Sequence, residues 1–374
     1  MLQFTKVAVI GAITAVATTA SAQEVVKIGM TGPLTGPQAQ AGKDNENGVR
    51  MAIDELNAKN PVIGGKPVKF VLLSEDDQAD PKTGVSVAQK LVDAGAKAVF
   101  GPYNSGVAIP ASRVYNDARV VMATVGSNPK ITQQGYGYVY RIGASDIELG
   151  GKIAAYAIRE LKHKKFAVVD DRTAYGQGVA EQFIKIAKEN GAEIVGREFT
   201  NDKAVDFNSI LTSIKNKKPD AVFYGGHYTQ GGPLRRQMKQ LGLNAALLGG
   251  DAICNAELFK LGGDAVNEGV YCVQGGAILE SGTAGKAFVN AYQKRYNTKP
   301  LTYAVSFYDG MMVVAEAMKK AGSVEPEKYM PALNTISYTG AAGKYEFDAK
   351  HDLKQSPVTV YTVKGGEPVA LTSY

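Results

Sequence analysis

Short apolar runs alternate with longer amphipathic stretches along most of this chain. In its first part the segments are VVKIGM (25–30), a helical pattern at 40–59, VKFVLL (68–73), a helical pattern at 82–94, AKAVF (96–100), a helical pattern at 105–118 and VVMAT (120–124). Short runs rich in β-branched residues predict strands, and the stretches between them have the period of helices. Because the strands are almost continuously apolar, we expect a parallel sheet with helices on both faces.

A second series of the same kind follows the YRIGASD stretch at 140–146. Its segments are a helical pattern at 147–161, KFAVVD (165–170), a helical pattern at 176–190, AEIVGREF (192–199), a helical pattern at 206–216, DAVFYGG (220–226), a helical pattern at 231–241 and ALLGG (246–250). Beyond Cys272 the segments are helical patterns at 284–296 and 301–321 and the runs GKYEFDAK (343–350) and SPVTVYTVKGG (356–366). This last part is too small for a third domain, so we expect the two series to share it.

A chain of 374 residues exceeds the size that a single hydrophobic core normally reaches, which predicts two lobes with a cleft between them. The predicted fold class is α/β, with two doubly wound parallel-sheet lobes joined by a three-crossover hinge. The expected crossings lie near 142–144, 273–275 and 349–351. The expected lobes are 23–142 plus 274–350 for the N-terminal lobe and 143–273 plus 351–374 for the C-terminal lobe.

The first 22 residues have the features of an export signal. Lys6 is the only charged side chain, an apolar run covers 7–16, and Ala20-Ser21-Ala22 forms a small-residue cleavage pattern. The apolar run is shorter than the roughly 20 residues that span a bilayer, so a cleaved signal peptide at 1–22 is favoured over a retained membrane helix. The mature protein is then expected to begin near Gln23 and to act in the periplasm.

Charge and cysteine content exclude several classes of function. The formal net charge of +6 is spread without a basic run, so we expect no nucleic-acid partner. Cys254 and Cys272 are the only cysteines, and in an oxidising compartment they are expected to form a disulfide. A metal site would need more ligands than these two and three scattered histidines, so neither a metal nor another cofactor is expected.

Three loops at predicted strand ends carry candidate chemistry, because ligands of parallel sheets lie beyond the carboxyl ends of the strands. Ser105 follows the strand at 96–100 and can begin a helix whose N–H groups bind a carboxylate, unless Ser105 or Asn104 only caps that helix. Ser127 offers a hydroxyl in the next loop, which can also be an ordinary connection capped by Asn128. Asp251 follows the strand at 246–250 and can pair with an ammonium group or remain solvated.

Several segments together resemble one family. They are KIGMTGPLTG, GVRMAIDELNAKNPVIGGKPVKFVLLSEDD, ADPKTGVSVAQKLVD, VFGPYNSGVAIPAS, ATVGSNPKIT, DRTAYGQGVAEQF, and DAVFYGG with LGGDA. From about Val25 to Val363 the chain is similar to type I periplasmic substrate-binding proteins of the branched-chain amino acid (Leu/Ile/Val) ABC transporter family. The resemblance implies two lobes that close around an amino acid, a membrane ABC permease complex as partner, and a monomeric binding protein.

The resemblance also assigns ligand contacts. The ligand carboxylate is expected at Ser105, at neighbouring backbone N–H groups including that of Gly106, and at Ser127. The ammonium group is expected at the Val125 carbonyl and at Asp251, where relatives commonly have glutamate. Tyr175 is the expected closing tyrosine from the second lobe.

Three departures from the family pattern bear on specificity. His227 stands where many relatives have tyrosine, Tyr103 stands where branched-chain binders often have an aliphatic residue, and Ala41 replaces another pocket tyrosine. The pocket is therefore expected to include Tyr103 and His227 and to be narrower and more polar on one side. Leu/Ile/Val, a smaller, polar or aromatic amino acid, and a non-amino carboxylate or amide all remain open as ligands.

A hydrolase and a sensor subunit are the two alternative classes of function. Ser105, His227 and Asp251 are the residue types of a nucleophilic triad, but the sequence N-S-G lacks the G-x-S-x-G elbow of a hydrolase, so no catalytic residue is expected. A sensor subunit that reports the same ligand to a receptor is not distinguished from a transport protein by sequence.

Overall fold

The computed structural model describes residues 23–374, so the predicted signal peptide at 1–22 lies outside the described residues. Within the described part, no helix is long and apolar enough to cross a membrane. Two separate sheets, each packed against helices, account for most of this part of the chain.

The first lobe is built on a six-stranded sheet. Its strands are β1 (Glu24–Gly32), β2 (Val62–Ile63), β3 (Lys66–Asp76), β4 (Ala98–Phe100), β5 (Val121–Thr124) and β6 (Val139–Arg141). Its helices in this part of the chain are α1 (Ala39–Ala58), α2 (Pro81–Asp93), α3 (Ser105–Asp117) and α4 (Lys130–Gln133). The strand order is β2-β3-β1-β4-β5-β6, and all neighbours are parallel except β2 and β3.

The second lobe continues the same alternation. Its elements are α5 (Asp146–Arg159), β7 (Lys165–Asp170), α6 (Ala174–Glu189), β8 (Glu193–Phe199), α7 (Asn208–Asn216), β9 (Ala221–Gly225), α8 (Tyr228–Gln240), β10 (Ala246–Gly249), α9 (Ala256–Gly262) and β11 (Val270–Gly275). All five residues of β9 are buried, as expected for a strand covered on both faces. The predicted α/β class with mainly parallel sheets is confirmed.

The last hundred residues serve both lobes. Their elements are α10 (Thr283–Tyr296), α11 (Ala304–Ala321), α12 (Pro326–Asn334), β12 (Tyr338–Thr339), β13 (Lys344–Tyr345), β14 (Val358–Lys364) and β15 (Glu367–Ser373). Helix α11 packs on α1 of the first lobe, whereas β14 pairs antiparallel with β11 of the second. The order of the second sheet is therefore β15-β14-β11-β10-β9-β7-β8.

The chain passes three times between the sheets. Residues near the third passage still contact the first lobe, since the Arg141 N–H donates to the His351 carbonyl and Arg141 forms an ion pair with Asp352. Phe347 and Leu353 also form an isolated antiparallel β-bridge. We therefore propose that the third crossing lies between Leu353 and Val358, beyond the expected 349–351. The remaining lobe limits stay a prediction.

Some elements were not predicted from the sequence. Strand β6 overlaps the YRIGASD stretch at 140–146, which was interpreted as a boundary. Strand β15 alternates exposed and half-buried residues without an apolar run. Helices α9 and α12 are only 7 and 9 residues long, so their periodicity is hard to recognise.

A disulfide joins Cys254 to Cys272, as predicted, with 5.3 Å between the two Cα atoms. Cys272 lies on β11, which leaves the second lobe at a crossing, and Cys254 closes the short turn that begins at Asp251. The bond therefore fastens the Asp251 turn to a strand of the hinge.

Replacing both cysteines by alanine should lower the free energy of unfolding by about 3 kcal/mol, because the disulfide restricts the unfolded chain across 18 positions. Urea denaturation of the mature protein would measure this loss. The wild-type protein in reductant is the matched control and should show a similar loss. A double variant as stable as the oxidised wild type would contradict the expected contribution.

Candidate functional site

The β4–α3 loop positions the first set of candidate residues. Ser105 is the first residue of α3 and is buried, and Asn104 occupies the N-cap position without a side-chain hydrogen bond to the helix. The expected capping role of the Asn104 side chain is therefore not observed. A Cβ atom placed on Gly106 would lie 4.0 Å from the Cβ of Ala174 in the second lobe, so the start of α3 faces the opposite lobe.

The neighbouring β5–α4 loop is attached to this helix start. The Asn128 N–H donates to Ser105 Oγ at 3.1 Å, and the Thr124 hydroxyl donates to the Pro102 carbonyl at 2.6 Å. Val125 and Ser127 are both buried within the loop. The structure thus brings the two first-lobe loops together, as their position at adjacent strand ends predicted.

Arg141 fixes the shape of the loop that carries Ser127. Its side chain is 1% exposed and donates to the carbonyls of Gly126 and Asn128, to the Thr132 hydroxyl and to Asp352. A buried guanidinium needs this many acceptors, because an unpaired charge is costly to desolvate. Sequence reasoning missed Arg141, since its acceptors come from separate parts of the chain.

Asp251 is held between tyrosines of the two lobes. It is 4% exposed, and its carboxylate accepts hydrogen bonds from the Tyr175 hydroxyl at 2.8 Å and from the Tyr303 hydroxyl. Burial raises the pKa of Asp251, whereas the bonds from Tyr303 and Tyr175 oppose that rise. Tyr303, at the start of α11, was not among the predicted site residues, because only packing between the lobes places it here.

Aromatic rings surround this carboxylate. The Tyr103 ring centroid lies 6.2 Å from that of Tyr303 and 5.9 Å from that of His227, and the His227 centroid lies 5.2 Å from that of Tyr175. Burial lowers the pKa of His227 to about 4, so this imidazole is neutral near pH 7. Tyr103 and His227, which were predicted from opposite lobes, therefore share one wall.

Direct hydrogen bonds connect the lobes around this wall. Asn128 Nδ2 donates to the Ala174 carbonyl at 2.7 Å, and the Tyr228 hydroxyl donates to the Pro37 carbonyl at 3.3 Å. The site residues are buried by both lobes together, so the structure represents a closed arrangement.

Asp146 is a second buried carboxyl group, which sequence reasoning interpreted only as part of a lobe boundary. It is 0% exposed, and a Cβ placed on Gly178 would lie 2.2 Å from its Oδ2. Burial raises the pKa of Asp146 to about 8. The nearby charges of Asp251 and Glu148 act in the same direction, whereas Ser127 and Arg141 oppose the rise.

All the predicted ligand residues lie on loops or helix starts at the facing ends of the two sheets. The first lobe supplies Tyr103, Ser105, Gly106, Val125 and Ser127, and the second supplies Tyr175, His227 and Asp251. Their contact with a ligand stays a prediction.

The geometry is that of a binding cleft. Within residues 23–374, no hydrogen bond joins Ser105 to His227 or His227 to Asp251. The described residues also contain no group of three or more His, Cys, Asp or Glu side chains that could hold a metal ion.

Two α/β lobes, three crossings and a buried polar cleft between facing sheet ends define the class of two-lobed ligand-binding proteins. The chain belongs to the periplasmic binding protein family, whose model matches residues 25–367, and the resemblance predicted from its segments is confirmed. It is 33% identical over 351 residues to the leucine-, isoleucine-, valine-, threonine- and alanine-binding protein of Pseudomonas aeruginosa, covering 94% of this chain and 93% of that protein.

Solved structures share the fold over nearly the whole chain. The leucine binding protein LivK of Thermotoga maritima superposes with a TM-score of 0.85 at 28% identity, covering 93% of this chain and 98% of that one. An ABC-transporter solute binding protein of Rhodopseudomonas palustris, in complex with 3,4-dihydroxybenzoic acid, gives a TM-score of 0.82 at 25% identity and covers 94% and 97% of the two chains.

The Asp146 carboxyl should make stability depend on pH. A carboxyl group whose pKa is raised in the folded state holds its proton more tightly there than in the unfolded chain, so stability falls as pH rises from about 4 towards 8. The pKa values of Asp44, Asp77, Asp171 and Asp309 are raised only to about 6, and that of Asp251 is raised as well. The contribution of Asp146 between pH 6 and pH 8 is therefore isolated by substitution.

Asp146→Asn should therefore reduce the loss of stability between pH 6 and pH 8 by on the order of 1–2 kcal/mol. Urea denaturation at pH 6, 7 and 8 would measure the difference from wild type. Asp117→Asn, at an exposed position in the first lobe, is the matched control and should keep the wild-type slope. Equal slopes for wild type and Asp146→Asn would show that the Asp146 carboxyl does not titrate in this range.

Proposed function

We propose that the protein is the periplasmic solute-binding component of an ABC importer, exported through cleavage of residues 1–22, and that it captures an α-amino acid in the interlobe cleft. The buried Asp251 carboxylate, bonded to a tyrosine from each lobe, is the observation that carries this proposal. Family membership and the relatives that bind amino acids support it.

The ligand carboxylate is assigned to the start of α3. Helix N-termini bind anions through N–H groups that lack intrahelical acceptors and through the positive end of the helix dipole. Ser105 and Gly106 are the first two residues of this 13-residue helix, and Ser127 lies in the loop bonded to it. The carboxylate would be bound by neutral donors, namely backbone N–H groups and serine hydroxyls, in loops that Arg141 and Thr124 hold in place.

The ligand ammonium group is assigned to Asp251 and to the Val125 carbonyl. A carboxylate offers about four acceptor positions, and the hydroxyls of Tyr175 and Tyr303 occupy two of them. The remaining positions can accept from an ammonium group without displacing either tyrosine. A positive charge beside the buried carboxylate would also offset the desolvation that raises its pKa.

Closure of the hinge completes the site. We infer that the ligand first binds the lobe that bears Ser105 and Ser127, after which Tyr175, His227 and Asp251 approach from the other lobe and exclude water. The permease then recognises the closed protein, which acts as a monomer and catalyses no reaction.

A non-amino aromatic carboxylate is the second candidate ligand. The rings of Tyr103, Tyr175, His227 and Tyr303 around the cleft favour it, and one structural relative contains 3,4-dihydroxybenzoic acid. Such a ligand has no cation for Asp251, which would then have to be protonated or remain bonded to tyrosines alone.

A thermal-shift screen of ligand-stripped mature protein distinguishes the two ligand classes, because a ligand that binds only the native state raises the melting temperature. Each α-amino acid would be compared with its des-amino analogue and with benzoate. We expect stabilisation by α-amino acids alone. Stabilisation by the des-amino acids or benzoate alone would favour the second candidate and overturn the ammonium assignment.

Asp251→Asn should weaken binding of whichever amino acid gives the largest shift by at least about 2 kcal/mol, because the ammonium group would lose its charged partner in a desolvated site. Isothermal titration calorimetry would measure the change. Asp264→Asn, an exposed carboxylate of the same lobe, is the matched control and should bind as wild type. Unchanged affinity in Asp251→Asn would remove Asp251 from the site.

A further inference from the structure

A series of three polar side chains, Gln38, Asn104 and His227, crosses the cleft beside the position proposed for the ligand carboxylate. Asn104 Nδ2 donates to Gln38 Oε1 at 2.8 Å and lies 3.5 Å from His227 Nε2. Gln38 and Asn104 belong to the first lobe and His227 to the second. Since an amide nitrogen only donates, His227 Nε2 accepts in this contact and the ring proton is on Nδ1.

Two polar atoms of this series are buried without a partner. They are Asn104 Oδ1, which is an acceptor, and His227 Nδ1, which is a donor in this tautomer. Buried polar atoms in native proteins are nearly always hydrogen-bonded, so two such atoms on residues in contact indicate a missing partner. A single partner for both atoms would donate to Asn104 Oδ1 and accept from His227 Nδ1.

We propose that the side chain of the ligand carries a neutral group that both donates and accepts hydrogen bonds, a carboxamide or a hydroxyl, which Asn104 and His227 recognise. The inference deepens the proposed function and depends on the cleft binding an α-amino acid. An aliphatic side chain would leave both buried atoms unpartnered, so its affinity would be lower.

The surroundings select against an anionic side chain. Asn104 carries no charge and His227 is neutral, because burial lowers its pKa to about 4. The Asp251 charge acts on Tyr103, whose ring lies 5.9 Å from that of His227, so a second carboxylate on the ligand would be repelled there. Tyr103 and Tyr175 flank the imidazole and keep it in place for recognition.

The experiment uses amino acids of nearly equal shape that differ in polarity. Calorimetry on ligand-stripped mature protein would compare asparagine with leucine and aspartate, glutamine with methionine and glutamate, and threonine with valine. We expect the neutral polar member of at least one set to bind at least about tenfold more tightly than its apolar and charged counterparts. If no set shows its neutral polar member binding at least about tenfold more tightly than its apolar and anionic counterparts, the inference is overturned.

Variants separate this inference from the proposed function. His227→Phe keeps an aromatic ring and should reduce the polar-to-apolar preference about tenfold, whereas His227→Asn keeps a donor near the position of Nδ1 and should retain part of it. His163→Phe, at a half-buried position in the loop between α5 and β7, is the control and should keep the wild-type preference. Circular dichroism would establish that each variant folds.

The outcomes are distinguishable. Absence of binding by every amino acid would overturn the proposed function, whereas binding without a polar preference would overturn only the side-chain inference. A preference for the polar member that persists unchanged in His227→Phe and in Asn104→Leu would remove these two residues from recognition and overturn the assignment.

Discussion

The burial of the Asp251 carboxylate is the constraint on which the cleft depends. A charge removed from water must find partners, and the protein supplies hydroxyls from Tyr175 and Tyr303, one from each lobe. Those two bonds couple the charge to the relative position of the lobes, because opening the cleft separates one tyrosine from the carboxylate. The Asp251 carboxylate thus joins the two lobes in the closed structure. In the proposed function it is also the partner of the ligand ammonium group.

The parallel sheets bring the site residues together from distant parts of the chain. Parallel strands end at the same edge, so loops far apart in sequence meet there, and the Asn128 bond to Ser105 joins two of them directly. Buried Arg141 then fixes the loop between β5 and α4 through carbonyl and hydroxyl acceptors. Hydrogen bonds thus tie together the two first-lobe loops where the ligand carboxylate is assigned, and in the proposed closure the motion would occur at the three crossings.

Sequence reasoning recovered the features that depend on local pattern. The apolar runs at 165–170 and 220–226 became β7 and β9 with little change in their limits, and the cysteine pair formed its disulfide. Contributions that depend on packing between lobes were missed: Tyr303 reaches Asp251 only because α11 returns to the first lobe. Asp146 was overlooked for the same reason, since nothing in its local sequence reveals that it contacts the β5–α4 loop at Ser127 and α6 at Gly178.

Unpartnered atoms in the closed cleft explain how closure can depend on ligand. Tyrosine hydroxyls satisfy Asp251 within the protein, but Asn104 Oδ1 and His227 Nδ1 have no hydrogen-bond partner there. Each buried unpaired group costs about 1–3 kcal/mol, so closure that leaves these two atoms unpartnered is disfavoured. A ligand shifts the equilibrium only by its difference in affinity for the two states. A ligand that partners these atoms in the closed form alone supplies that difference, which links the proposed side-chain recognition to the signal that the permease would read.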